Sequence, residues 1–495
     1  MLTVLPAFRV VWDDGGMAQN FLSGDRDQLW LMPPSVVDWL PEGHLAWFVI
    51  DVVDEFDLSG FVSRYRDDGR GGAAYSPKVM VALIVYAYAV GELSSRRIQK
   101  RCVEDVAFRV VAANLVPDHA TIARFRVTHA EALAGLFGQV LTLCDRAGLI
   151  KAGLLAVDGT KIGANASRQA NRTSEQLARD IIDASAATDA GEDELFGDGA
   201  GPEMPEEMRR KDRKARLRKM KADLDAEADA KSFETHMRER AERESATGRP
   251  LRGRQPKPDS IRHRSRRHAN VTDPDSRLQK IRGGGFIQGY NAQIIVTVDQ
   301  FVVAAEVTND VTDHAQFQPM IRSAKANLTR TRVRRHRVRT VVADAGYWGV
   351  DNANTSGVEV LIAPGQARKI KEVTAHQAVR TAALERVETG ELTTSDAALQ
   401  LGVSRKQINR LLRHRRDGQP ETLTALMVAR LDTPRGQRLY KKRSASVEPV
   451  FAQIKHNRRI RDFSRRGIVA VDHEWKLVTT THNLLKLWRA TPTTA

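Results

Sequence analysis

The sequence predicts an α/β or α+β fold: a helical N-terminal domain, followed by a core with a central sheet and helical insertions. Apolar positions recur with helical spacing over about residues 30–150. From Leu154 onward, short apolar runs typical of buried strands replace that spacing. The chain has 495 residues, which is too long for one ordinary core. We therefore predict four parts, over residues 1–150, 151–365, 366–420 and 421–495.

Capping residues mark the helix boundaries of the N-terminal domain. Pro77 suits the first turn of one helix, and Ser94 caps the next. Asp118 caps a third helix, in PDHATIARFR, which carries Arg124 and Arg126. That short basic helix is either a recognition helix for a DNA groove or an ordinary helix of a bundle, and the sequence favours the two equally.

Strands of the core are predicted where apolar runs end in turn residues. The run LLAVDG ends in Asp158-Gly159, which indicates a buried strand with a turn after it. Further strands are predicted over residues 285–298, 301–307, 340–343 and 358–362, with a helix over 316–328. This order of elements indicates a central sheet flanked by helices.

A charged insertion interrupts the core over about residues 170–268. Residues 208–230 within it have helical residue types with charges of both signs, which favours a solvated helix or coiled coil. The alternative is that its basic end contacts DNA.

The second insertion, over residues 366–420, contains a candidate helix-turn-helix at 394–413. Gly402 lies in the predicted turn, and Ser404 caps a second helix. That helix presents Arg405, Lys406 and Gln407, whose side chains are able to reach base edges and phosphates. A plain helical hairpin is the alternative.

Composition predicts the compartment and the class of partner. The two cysteines, Cys102 and Cys144, form no CxxC pattern, so a zinc site or a disulfide framework is not expected. The longest apolar stretch, over 79–90, is too short to span a bilayer, and no signal peptide is evident. We expect a cytoplasmic protein without a membrane partner.

The net charge of +16 indicates a polyanionic partner such as nucleic acid. General solubility is the alternative explanation of a charge excess, but here the basic residues are clustered. The clusters lie at residues 262–268, 330–339, 413–416 and 458–466.

Three carboxylates have a context that suggests chemistry. Asp158 and Asp344 each end a predicted strand, and Glu448 lies on a predicted amphipathic helix. An ionised group at the edge of a core is costly unless it is paired or bound to metal. Carboxylate oxygens suit Mg²⁺ or Mn²⁺, and two such ions support phosphodiester cleavage. For each aspartate alone, a turn residue before glycine is the competing interpretation.

The C-terminal region resembles the DDE transposases of bacterial insertion sequences. Their Tyr-Arg-Glu-Lys signature corresponds to Tyr440, Arg443, Glu448 and Lys455, with an Arg-to-Glu gap one residue longer than usual. Blocks in AVDGTKIGANAS, VVADAGYWG and TDPDSRLQKIRGGGFIQGYNAQIIVTVD are similar to the same family, in the same order. The N-terminal region resembles the InsH-type domain of these enzymes.

The resemblance implies an RNase H-like core, binding of terminal inverted repeats in double-stranded DNA, and Mg²⁺-dependent cutting with transfer of the 3′ hydroxyl to target DNA. Asp158, Asp344 and Glu448 would bind the metal. Tyr440, Arg443 and Lys455 would hold the DNA, with Lys455 two helical turns from Glu448 and on the same side. The alternative for Arg443 and Lys455 is a surface pair with Glu448. A homodimer is implied because two element ends must be held together, and no small-molecule substrate is expected.

Two other functions remain open at this level. The chain is alternatively a DNA-binding regulator without catalysis, or an RNase H-like nuclease that does not join strands.

Tyr347 and Trp348, just after Asp344, either stack on a displaced base or pack against the edge of the sheet. His314 is interpreted as a loop or helix-start residue.

Overall fold

The computed structural model describes residues 35–65, 74–180, 217–226, 237, 240, 268–281, 283–331, 336–365, 379–416 and 423–491. Most of the charged insertion predicted at 170–268 lies outside these ranges, including all of its basic cluster at 262–268 except His268. Residues 332–335 of the basic cluster at 330–339 lie outside them as well. Together, the described helices and strands form an α+β fold with one mixed sheet, as predicted.

The N-terminal region is helical, and its predicted caps are confirmed. Pro77 begins the third helix, and the side chains of Ser94 and Asp118 accept hydrogen bonds at the starts of the fourth and sixth. The helices are α1 (Leu45–Asp54), α2 (Ser59–Val62), α3 (Pro77–Ala89), α4 (Ser95–Glu104), α5 (Val106–Val111), α6 (His119–Thr128) and α7 (Ala130–Arg146).

One main sheet follows this helical region along the chain. Its strands are β1 (Leu154–Gly163), β4 (Arg277–Lys280), β5 (Phe286–Thr297), β6 (Val302–Thr308), β7 (Thr340–Ala343) and β8 (Glu359–Ile362), while β2 (Asn171–Thr173) and β3 (His268–Asn270) pair separately. β1 pairs antiparallel with β5 on one side and parallel with β7 on the other. β5 continues to β4 and β6, and β7 pairs parallel with β8.

The first strand is longer than predicted. β1 does not end at Asp158-Gly159 but continues to Gly163, so the predicted turn is wrong. The cause is the long β5, which pairs with β1 from Leu155 to Gly163, well past the point where β7 stops. Asp158 therefore lies within a strand.

Helices flank the sheet and close the core. After α8 (174–180) and α9 (217–226), these are α10 (Phe317–Arg330), α11 (Val350–Ala353), α12 (379–388), α13 (Thr394–Gln400), α14 (Arg405–Arg416), α15 (Leu423–Asp432), α16 (Pro434–Ala452) and α17 (Ile468–Ala490). α17 packs against α3, α7 and β6, while α16 packs against β1 and β7. The N-terminal helices and the sheet consequently share one continuous hydrophobic core.

Each insertion has a small core of its own. In the charged insertion, the described helix α9 buries Leu217, Met220 and Leu224 beside Leu177 and Ala269, so one face of this mainly charged helix is apolar. In the second insertion, Leu384 of α12 packs with buried residues of α13 and α14, which are Ala397, Ala398, Ile408, Leu411 and Leu412.

None of the described helices is by itself long and apolar enough to cross a membrane. The bent pair His119–Thr128 and Ala130–Arg146 meets the length and composition criteria only when its two helices are taken together.

Candidate active site

Two of the predicted carboxylates meet at adjacent parallel strands. The last paired residues of β1 and β7 are Val157 and Ala343, and Asp158 and Asp344 follow directly after them. Asp344 ends its strand as predicted, and its Oδ1 accepts a hydrogen bond of 2.9 Å from the backbone N–H of Gly346. The register of the sheet therefore places the two carboxylates side by side.

The electrostatics of Asp158 reflect this placement. Burial, and then the negative charge of Asp344, raise the pKa of Asp158 to about 6, while Arg443 acts in the opposite direction. A raised pKa in a carboxylate beside a second carboxylate means that the charged form lacks sufficient compensation. A bound cation would supply it.

Arg443 reaches the site from α16. Its Nη1 donates to Oδ2 of Asp158 at 2.9 Å, and both side chains are less than one-fifth exposed. Tyr440 lies one helical turn before Arg443, is half-buried, and has its pKa raised by burial. Two residues of the signature thus lie next to the first carboxylate. Arg443 pairs with Asp158, and not with Glu448, which was the alternative partner.

Lys455 contacts the far part of β1. Its Nζ donates to Oγ1 of Thr160 at 2.8 Å and to the carbonyl oxygen of Lys161 at 2.7 Å. That Lys455 lies on the same side of its helix as Glu448 stays a prediction, but the helix between the two residues is not regular. A π-turn over Gln453–Asn457 interrupts the helical spacing; Glu448 is exposed, and Lys455 is half-buried against the strand.

The donor set fits a divalent ion only in part. Asp158 and Asp344 provide hard oxygen ligands at one point of the sheet, and the raised pKa of Asp158 indicates a place where a cation would be stabilising. Within the part of the chain that the structure describes, however, no three His, Cys, Asp or Glu side chains are grouped closely enough to hold a metal. Glu448 does not complete such a group here.

The prediction that Arg126 contacts DNA is wrong. Arg126 is 2% exposed, and its guanidinium is held between α3 and α17. It donates to the carbonyl oxygen of Leu93 at 2.9 Å and to Oη of Tyr88 at 2.6 Å, and it forms an ion pair with Glu474 at 3.4 Å. Arg124, two residues earlier on α6, is exposed.

The aromatic pair after Asp344 packs inward. Tyr347 is buried, and its hydroxyl donates to Oε1 of Gln293, so packing is confirmed for this residue and stacking on a base is excluded. Trp348 is half-buried against the core. His314 begins a short 3-10 turn, as predicted.

Sequence reasoning missed a further carboxylate near the pair, Asp313. Asp313 adds to the raised pKa of Asp158, and its Oδ1 lies 3.7 Å from Nζ of Lys161. It lies in the loop before α10 and not at the end of a strand, so the rule that identified Asp158 and Asp344 did not apply. Its position next to His314, in TDHAQF, was the available signal.

The second insertion contains two helices joined by a short turn, α13 and α14, an arrangement common to a helix-turn-helix and to a plain helical hairpin. Gly402 takes a positive φ of 64° between α13 and α14, a conformation that favours glycine. The N–H of Gln407 donates to Oγ of Ser404 at 3.3 Å, which confirms the predicted cap. Arg405, Lys406 and Gln407 are all exposed on α14.

Adjacent carboxylates on a mixed sheet, with Arg443 and Lys455 contacting the strand that carries Asp158, are the arrangement expected of an enzyme for metal-dependent chemistry on a polyanionic substrate. Comparison with known protein families supports the same class of enzyme. Residues 34–128 match the family described as Transposase domain (DUF772), and residues 403–488 match Transposase DDE domain. The chain is a DDE-type transposase, an enzyme of metal-dependent DNA cleavage and strand transfer.

The second match contains Tyr440, Arg443, Glu448 and Lys455, whereas neither match extends to Asp158 or Asp344. No curated protein and no solved structure matches the chain significantly.

Proposed function

We propose that this transposase binds the terminal inverted repeats of an insertion sequence, cuts the DNA at the element's ends, and transfers the 3′ hydroxyl to target DNA. The observation that carries this proposal is the juxtaposition of Asp158 and Asp344 at the point where β7 ends, with Arg443 beside them. Mg²⁺ or Mn²⁺ bound there would activate the attacking oxygen and stabilise the leaving oxygen of the phosphodiester.

The chain's own residues have separate parts in this reaction. Asp158 and Asp344 would hold the metal. Glu448, on the helix that packs against both their strands, is proposed as the third carboxylate, although it does not group with the two aspartates in this structure. Arg443 balances the charge of Asp158 before metal binds. Lys455 provides a positive charge beside Thr160, where it is able to contact a phosphate next to the cut.

The helix-turn-helix of α13 and α14 is proposed to recognise the end sequence. Its support is a separate hydrophobic cluster with an exposed basic helix. Arg405 and Gln407 are suited to base edges, and Lys406 to a phosphate. Two element ends held together would require two copies of the chain, so we propose a homodimer in the DNA complex.

The test uses a duplex taken from the DNA that flanks the gene, with one inverted repeat labelled. Wild-type protein is expected to cut it in Mg²⁺ or Mn²⁺ and to join it to target DNA. Asp158→Asn should reduce cutting by several orders of magnitude and keep DNA binding. Equal cutting by Asp158→Asn would refute the assignment of the site.

The same assay separates the competing functions. Specific binding without cutting in either metal would indicate a regulator. Cutting without any joined product would indicate a nuclease. Glu448→Gln provides a second check, because a true third carboxylate predicts a loss comparable to that of Asp158→Asn.

A further inference from the structure

A buried polar network lies on the sheet directly beside the carboxylate pair. Asn291 and Gln293 of β5 have no exposed surface, although β5 is otherwise largely apolar from Tyr290 to Val296. Buried amides are costly unless they are hydrogen-bonded, so their partners reveal what they do.

The partners of these amides converge on Asp313. Gln293 Nε2 donates to Oδ1 of Asp313 at 2.8 Å and to Oδ1 of Asn291 at 2.9 Å. Asn291 Nδ2 donates to the same Asp313 oxygen at 2.6 Å. Lys161 of β1, paired with Asn291 across the strands, brings its ammonium to 3.7 Å from that oxygen. The aspartate is therefore held by two amides and one cation.

Gly159 provides the space for this network. It pairs with Gln293 across β1 and β5, and a Cβ at this position would overlap Gln293 Nε2 and lie 2.8 Å from Oδ1 of Asp313. The glycine after Asp158 thus has a packing role and not the turn role that the sequence suggested.

The network continues to the turn that carries Asp344. Tyr347, three residues after Asp344, donates its hydroxyl to Gln293, and Asn352 donates to the carbonyl oxygen of Tyr347 at 2.9 Å. A Cβ at Gly346 would lie 3.1 Å from Oδ1 of Asp344 and 3.3 Å from Oδ2 of Asp313. The Asp344 turn is consequently attached to β5 by Tyr347 and lies against Asp313.

We propose that Gln293, acting with Asp313 and Tyr347, is a positioning residue that fixes the Asp344 turn relative to Asp158. Apolar side chains would stabilise this part of the core without specifying the direction of a turn; a fully bonded amide network selects one arrangement. The inference rests on the proposed function, since it assumes that Asp158 and Asp344 bind a divalent ion together. Side chains that orient a metal ligand affect metal affinity typically by about 10–100-fold.

The test compares two substitutions on the same strand in the full-length protein. Gln293→Met removes the network amide and keeps the side-chain length. Gln288→Met is the matched control, because Gln288 is also buried on β5 but bonds Ser276 and Asn171 instead. Mn²⁺ binding is measured by electron paramagnetic resonance without DNA, and the Mg²⁺ concentration for half-maximal cutting is measured with end DNA.

We expect Gln293→Met to weaken Mn²⁺ binding and to raise the required Mg²⁺ concentration by about tenfold or more. Gln288→Met should match the wild type in both, whatever its loss of thermal stability. Tyr347→Phe removes only a hydroxyl, and it should likewise weaken Mn²⁺ binding and raise the required Mg²⁺ concentration. This variant replaces Gln293→Met in the test if Gln293→Met does not fold.

Metal binding that is the same in wild type, Gln288→Met and the network variants would overturn the inference and leave the proposed function intact. A folded wild-type protein that neither binds Mn²⁺ nor cuts end DNA in metal would overturn the proposed function and this inference with it.

Discussion

Arg124 and Arg126 are two residues apart on α6, and their surroundings give them different roles. The sequence presents both as basic residues of one short helix, and nothing in their spacing says which of them is buried. The decisive contacts come from Tyr88 and Glu474, which are distant along the chain. Tertiary packing, not local pattern, therefore decides the role of each arginine.

Arg126→Met should destabilise the protein by roughly 3–5 kcal/mol, because it leaves Glu474 buried without its cation. Arg124→Ala is the matched exposed control and should change the free energy of unfolding by no more than about 0.5 kcal/mol. Urea unfolding measures both. An Arg126→Met protein as stable as the wild type would contradict the structural role given to this guanidinium.

His482 predicts how stability depends on pH. It is 4% exposed, and burial, followed by the charge of Arg458, lowers its pKa from 6.5 to about 3. Its Nε2 donates to the carbonyl oxygen of Gln300 at 3.0 Å, and Nδ1 faces the amide of Gln453. Because the folded pKa is depressed, the unfolded state takes up the proton first, and this contribution to stability is lost as pH falls from about 6.5 toward 3.

By pH 5 the loss from His482 amounts to about 2 kcal/mol. His482→Gln should therefore reduce the change in unfolding free energy between pH 7 and pH 5, while His456→Gln, at an exposed position, should not. Urea titrations at the two pH values measure this. The same pH dependence in His482→Gln and wild type would contradict the role of the buried ring.

At the scale of secondary-structure elements, local signals predicted well where helices begin. They predicted poorly how far a strand extends, which depends on the strand it pairs with. Pro77, Asp118 and Ser404 marked helix starts because a cap depends on a few adjacent residues. The end of β1 was missed because Asp-Gly is a common turn pair, and only the distant β5 keeps the strand extended there. The π-turn that contains Lys455 had no recognised signal either.

The helix-turn-helix of α13 and α14 is a prediction at this scale that experiment can settle. Arg405→Ala with Lys406→Ala should weaken binding to end DNA about tenfold or more and reduce the slope of its salt dependence by about 1–2. Thermal stability should be nearly unchanged, because both side chains are exposed.

The control removes the same charge from another helix, with Arg322→Ala and Lys325→Ala on α10, where both residues are exposed. If the control weakened binding to end DNA as much as the α14 variant does, general charge would account for the effect, and α14 would not be the recognition helix.

For the whole molecule, the sequence predicted the α+β class and a central sheet, because strand runs and helical spacing are properties of long segments. The sequence also suggested separate domains. In the structure, however, one hydrophobic core runs continuously from α3 and α7 through α17 to the sheet. Contacts between segments hundreds of residues apart, such as Tyr88 with Glu474 at 2.9 Å, leave no local signature. The carboxylate pair could be predicted, since Asp344 ends a strand, whereas Asp313 and Gln293 required the folded sheet.

The most direct test of the central claim is to locate the metal on the folded chain. Fe²⁺ is added in place of Mg²⁺ with ascorbate and hydrogen peroxide, and the polypeptide cuts made by the resulting radicals are mapped by mass spectrometry. Cuts are expected next to Asp158 and Asp344, with suppression by excess Mg²⁺ and loss in Asp158→Asn. Cuts confined to other parts of the chain, or unchanged in Asp158→Asn, would contradict a shared metal site at these two strands.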